Sequence, residues 1–208
     1  MSANAVEATP DQFPELYAMY ADLARSMGFG SGTGPLAEIP RLYVLNGNGT
    51  MNAFASKCRV QHGYIVIYSD IVDLAYEYGN FGAVRFVLAH ELGHIKCGHE
   101  SLWRAAITPV MTVLRLGPSL TRAQEYTADR VGAYYAGDNS RDMIALFAGK
   151  NIAGRVDVDA YLRSVDNHKD GFWLRVANVF SDHAVGFRRM KALGRVRNEG
   201  WDVHGKML

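Results

Sequence analysis

Apolar positions along this chain fall into two regimes. Short apolar runs separated by glycine and asparagine occupy the first third, and apolar residues at helical spacing dominate the rest. Pro14-Glu15-Leu16-Tyr17 opens a helix that runs to Ser26, and a glycine-rich stretch from Gly28 to Gly34 ends it. The runs at 41–45, 52–56 and 64–68 predict strands, with Asn46-Gly47-Asn48-Gly49 as a turn. Helices are predicted near 70–78, 81–101, 121–136, 141–149, 158–166, 172–180 and 185–197. The fold class is α+β, mainly helical with a small early sheet. Neither an internal repeat nor a linker divides it. We therefore expect one domain over 1–208: a helix and loop (1–40), a sheet and a long helix (41–103), and a second set of helices (119–208).

The helix over 81–101 carries the chemistry. Phe81, Val84, Leu88, Leu92 and Ile95 recur at helical spacing, Asn80 is a good N-cap, and Gly98 is a stop signal near the end. Within it lies His90-Glu91-Leu92-Gly93-His94, an HExxH pattern. Residues i and i+4 project from one helix face, so both imidazoles reach one metal ion. Glu91 points about 100° away from His90, too far round to be a third ligand but able to touch a metal-bound water.

A third ligand must come from elsewhere. Glu125 and Asp129 share a face of the second helix, where Thr121 and Gln124 fit a capping box and Gly137 a C-terminal stop. One carboxylate can ligate zinc while the other holds a ligand imidazole through its second ring nitrogen. The competing explanation is a solvated acidic face paired with Arg122 and Arg130.

Five motifs in order then resemble the zinc endopeptidase family that contains HtpX and the CAAX prenyl protease. Leu42-Tyr43-Val44-Leu45 and Asn52-Ala53-Phe54-Ala55 resemble its strand and Asn-Ala-Phe-Ala signature, and Tyr64 to Ser69 its next strand. Val87 to His94 resembles its active-site helix and Glu125-Tyr126-Thr127-Ala128-Asp129-Arg130 its Glu-x-x-x-Asp segment. His183, Arg189, Met190 and Leu193 resemble its late signature, with Ala184 where the family has proline. The resemblance covers roughly residues 15 to 195. It implies a gluzincin-type zincin domain in which His90, His94 and Glu125 hold one zinc, Glu91 is the general base and Asp129 holds a ligand histidine.

Those parts imply hydrolysis of peptide bonds by a zinc-activated water, with Glu91 moving the proton. His183 is the candidate oxyanion donor and Tyr126 a weaker one. Asn52, Ala53, Phe54 and Ala55 would form a strand edge to which an extended polypeptide substrate adds by main-chain hydrogen bonds. Two other readings use the same fold: a zinc-binding, chaperone-like module that holds polypeptide without cutting it, and a latent enzyme covered by its N-terminal segment or the Gly28–Gly34 loop. Glu91 speaks against the first, because binding needs no general base.

Composition adds limits. A net charge of +1 argues against nucleic acid as a partner. Charge is uneven, with 6 basic and 10 acidic residues in 1–100 against 16 and 11 in 101–208. The densest basic cluster (Arg188, Arg189, Lys191, Arg195, Arg197) is expected to be a solvated helix face, ahead of an anionic-lipid contact. The N-terminus shows no signal-peptide pattern. The longest apolar stretch, Ala105 to Leu114, contains Pro109 and is about half of what a bilayer-spanning helix needs. A cytoplasmic protein is expected, with peripheral membrane contact as the lesser alternative. Cys58 and Cys97 form neither a disulfide framework nor a metal knuckle, and Cys97 is expected to be a small buried side chain. On a helix continued to residue 101, His99 falls opposite His90 and is excluded as a ligand. His62, His168 and His204 lack ligand-like context.

Overall fold

The computed structural model describes residues 4–31, 33–57, 63–99, 117–149, 151–167 and 186–201. His183, Cys58, the apolar stretch 105–114, the helix expected over 172–180, and His62, His168 and His204 lie outside the described residues.

The described strands form one four-stranded sheet in the order β1 (Ala5–Glu7), β2 (Arg41–Leu45), β4 (Gly63–Tyr68), β3 (Ala53–Lys57). β2 and β4 run parallel, with Leu42 opposite Ile65 and Val44 opposite Ile67, while β1 and β3 flank them antiparallel. Those four inner side chains alternate along their strands and are all buried. The expected strands agree within a residue at most boundaries. The three-residue β1 was not anticipated, being too short to show a period.

Helices α1 (Pro14–Ser26) and α2 (Ser69–Tyr78) cover this core through Leu16, Tyr20, Leu23, Ile71 and Val72. The buried Tyr20 hydroxyl donates to the Pro40 carbonyl at 2.8 Å, which satisfies a polar atom that burial would otherwise penalise. The turn before β3 closes through Gly49 N–H donating to the Asp70 carboxylate at 3.3 Å. Gly47 packs so closely there that a Cβ would lie 2.5 Å from both Asp70 Oδ2 and the Thr50 carbonyl oxygen.

Helix α3 (Gly82–Lys96) runs through the centre. Twelve of its fifteen residues are buried, so it is enclosed on nearly every side rather than on one amphipathic face. Enclosure takes His90 and Glu91 out of water, and each buried polar group then needs a partner. The Asn80 side-chain oxygen accepts from Gly82 N–H at 2.8 Å, so asparagine caps from one position further out than expected. The helix also ends five residues before the expected 101. Gly98 takes φ +70°, and Cys97 at this terminus is exposed rather than buried.

Helix α4 (Gly117–Ala136) packs along α3. It begins four residues before the expected cap at Thr121, which places Thr121 and Gln124 inside the helix, and Gly137 with φ +74° follows its end. Two glycines set the approach. A Cβ on Gly132 would lie 3.3 Å from the His90 backbone nitrogen, and one on Gly93 would lie 3.2 Å from Val131 Cγ1. A 3-10 stretch (Asp138–Met143) passes into α5 (Ile144–Ala148) where one helix was expected, followed by α6 (Val158–Asn167) and α7 (Gly186–Glu199). One hydrophobic core links Leu16 of α1 to Leu193 of α7. Among the described residues, no helix is long and apolar enough to cross a membrane.

Candidate metal centre

Close packing of α3 on α4 brings two i, i+4 pairs face to face. His90 Nε2 lies 3.0 Å from His94 Nε2, while the Glu125 carboxylate places one oxygen 3.6 Å from His90 Nε2 and the other 3.4 Å from His94 Nε2. Three ligand-type atoms thus converge from two helices. A tetrahedral ion with bonds of about 2.0–2.2 Å separates its ligand atoms by about 3.3–3.6 Å. The two imidazole–carboxylate separations fall in that range, each to a different Glu125 oxygen, and the two imidazole nitrogens lie closer at 3.0 Å; two imidazoles with one carboxylate are a donor set that suits zinc.

Charge points the same way. Glu91, Glu125 and Asp129 are all buried, and Arg189 of α7 is the guanidinium that meets Glu125 and Asp129. Arg189 Nε donates to Asp129 Oδ2 at 2.7 Å and Nη2 to Oδ1 at 2.6 Å, while Nη1 lies 3.2 Å from Glu125. Burial alone would raise the Asp129 pKa, but the Arg189 charge and its hydrogen bonds, with help from His90, hold it well below the usual carboxylate range. Burial opposes ionisation of Glu125 as well; the His94 hydrogen bond and the neighbouring cationic groups bring its pKa down to about 2. Three carboxylic side chains thus lie buried around the paired imidazoles, a setting that suits a bound cation.

Asp129 Oδ1 also lies 2.9 Å from His90 Nδ1. With the proton on Nδ1, the ring donates to Asp129 and turns the Nε2 lone pair toward the centre. Glu125 and Asp129 therefore do not form the solvated acidic face considered above. Nor is Arg189 part of a solvated basic face: its side chain is 13% exposed and folded into the cluster. Its partner lies 60 residues earlier, beyond the reach of local pattern.

A cleft of about 460 Å³ opens over the centre. Glu91, His90, His94, Glu125 and Arg189 line it together with Asn52, Ala53, Phe54 and Ala55. Among the described residues β3 is a terminal strand of the sheet, paired with β4, and Phe54 is 37% exposed there. Tyr126, by contrast, is buried with Ala192 and does not line the cleft. His99 does line it, and its Nδ1 lies 2.9 Å from His94 Nδ1. The expectation that His99 faces away assumed an uninterrupted helix, and Gly98 overturns it.

Residues 10–117, about half of the chain, match Peptidase family M48. That segment includes α1 to α3 and the His90–His94 motif and ends where α4 begins. The chain is also similar to proteins described as protease HtpX homologs from Burkholderia cenocepacia, Burkholderia multivorans and Burkholderia lata. Each is 26% identical, with 65% of this chain and 55% of the relative covered. The chain thus spans about half the length of these curated relatives. No solved structure matches. With the family match covering β2 to β4, the central helix and its paired histidines, the chain belongs to peptidase family M48.

Proposed function

We propose that the chain is a zinc-dependent endopeptidase of the gluzincin type. The observation that carries this reading is the convergence of His90, His94 and Glu125 ligand atoms from two helices, close enough together to share one ion, with Glu91 lining the same cleft. His90, His94 and Glu125 would hold one zinc, which when bound supplies Lewis acidity and brings the pKa of a water toward neutrality. Asp129 orients His90 through Nδ1. Glu91 accepts the proton of the water that adds to the scissile carbonyl and delivers it to the departing amine nitrogen as the C–N bond breaks. His183 remains our candidate for donating to the oxyanion. An extended polypeptide would pair with the outer edge of β3 along Asn52, Ala53, Phe54 and Ala55, held by main-chain bonds with little sequence choice. The single core running from α1 to α7 supports treating the chain as one catalytic domain.

A module that held polypeptide without cutting would leave Glu91, buried beside the paired histidines and facing the cleft, without a task. The test is elemental analysis of protein purified without chelators, followed by hydrolysis of a casein-type unfolded substrate before and after metal removal. One zinc per chain, with hydrolysis lost on chelation and restored by zinc, is the expected result. Protein that contains and binds no zinc would overturn the reading.

A further inference from the structure

We propose that His99 is the positioning residue for His94, fixing the tautomer and ring plane in which His94 presents Nε2 to the metal. This rests on the zinc reading above.

The two histidines of the motif are held differently. His90 has its Nδ1 2.9 Å from the Asp129 carboxylate, whereas His94 has its Nδ1 2.9 Å from His99 Nδ1. Two ring nitrogens at this distance share one proton, and ligation decides which carries it. If His94 Nε2 gives its lone pair to a metal, the proton of that neutral ring must sit on Nδ1. His94 Nδ1–H therefore donates, His99 Nδ1 accepts, and the His99 proton sits on Nε2. The reverse arrangement would put a hydrogen on His94 Nε2 and block ligation.

The fold builds this contact deliberately at the end of α3. Gly98 N–H donates to the Ile95 carbonyl at 3.1 Å and His99 N–H to the His94 carbonyl at 3.0 Å, with Gly98 at φ +70°. Those bonds form a Schellman closure, which brings the residue after the left-handed glycine over the residue five before it. Here that pair is His99 and His94, with ring centroids 5.0 Å apart and planes at 67°. An apolar contact commonly fills this place; a hydrogen-bonding ring fills it here.

Two variants separate hydrogen bonding from packing. His99→Asn keeps an acceptor oxygen near the place of Nδ1 and removes the ring, while His99→Phe keeps the ring volume and removes the acceptor. Zinc dissociation constants, measured by competition with a chromophoric chelator, should stay within about threefold of wild type for His99→Asn and weaken by about 10- to 100-fold for His99→Phe. The cobalt(II) forms should follow the same split, with the visible bands kept in His99→Asn and shifted in His99→Phe. Should His99→Phe fail to give a normal melting curve, His99→Leu takes its place. Unchanged affinity in the acceptor-free variant, or equal losses in both, would overturn the proposal while leaving the metallopeptidase reading intact. A wild-type chain that binds no zinc would overturn both.

Discussion

Arg189 grips Asp129 through two parallel contacts, Nε to Oδ2 at 2.7 Å and Nη2 to Oδ1 at 2.6 Å, and so ties α7 to the face of α4 that meets the paired histidines. Such fork-to-carboxylate pairing needs the planar guanidinium, and an ammonium cannot reproduce it. Removing one partner of a buried ion pair leaves the other charge uncompensated. Arg189→Met should therefore cost about 3–5 kcal/mol in urea unfolding of the metal-free protein. Arg189→Lys should recover only part of that. In a double-mutant cycle, Asp129→Asn combined with Arg189→Met should cost less than the sum of the single changes. A loss below about 0.5 kcal/mol for Arg189→Met, the scale of an ordinary surface substitution, would contradict this account of the pair.

Much of the centre was legible because its parts are local. The His90–His94 and Glu125–Asp129 spacings each declare one helix face, and the structure brings all four side chains together. Arg189 stood out only as a match to the late signature, and its contact with Asp129 and Glu125 was hidden for the opposite reason. Its neighbours Arg188 and Lys191 suggest a solvated face, and only the tertiary path of α7 turns it inward. His99 was missed although the signal was present in Gly98: one left-handed residue reverses the chain, and extending the helix past it put the ring on the wrong side. The close approach of α3 and α4 through Gly93 and Gly132 likewise shows only when the two helices are paired in space.

That approach gives a second prediction. Any Cβ at position 132 meets the backbone of His90, which cannot move aside as a flexible side chain would. Gly132→Val should push α4 off α3, with an overpacking cost of about 1–3 kcal/mol. It should also weaken zinc binding although no ligand is altered, because Glu125 moves with its helix. Thermal unfolding and chelator competition would check both effects. A variant that keeps wild-type affinity would show that the glycine contact does not set the ligand triangle.

The Glu125 carboxyl, at about 2 in the fold against 4.5 for the free group, predicts the sign of an acid response. A depressed folded pKa contributes stability that is complete above the unfolded value and lost as pH falls through the folded one. For the metal-free protein, the urea midpoint should therefore lose this contribution as pH falls from about 4.5 toward 2, and Asp129 acts in the same direction. Glu125→Gln, which has no such proton to take up, should show a shallower decline across that window. An identical decline in both proteins would remove Glu125 as a source of the effect.

The central claim is that Glu91 moves a proton while His90, His94 and Glu125 hold the metal. Glu91→Gln keeps the shape of the side chain and its hydrogen bonding but cannot accept that proton. The decisive measurement is hydrolysis of an unfolded polypeptide by wild type and Glu91→Gln, matched for zinc content and melting curve. We predict equal zinc, equal stability and a loss of hydrolysis of at least about 10²-fold. A fully zinc-loaded Glu91→Gln protein that cuts at the wild-type rate would contradict the claim, as would two proteins that bind the polypeptide equally and cut nothing.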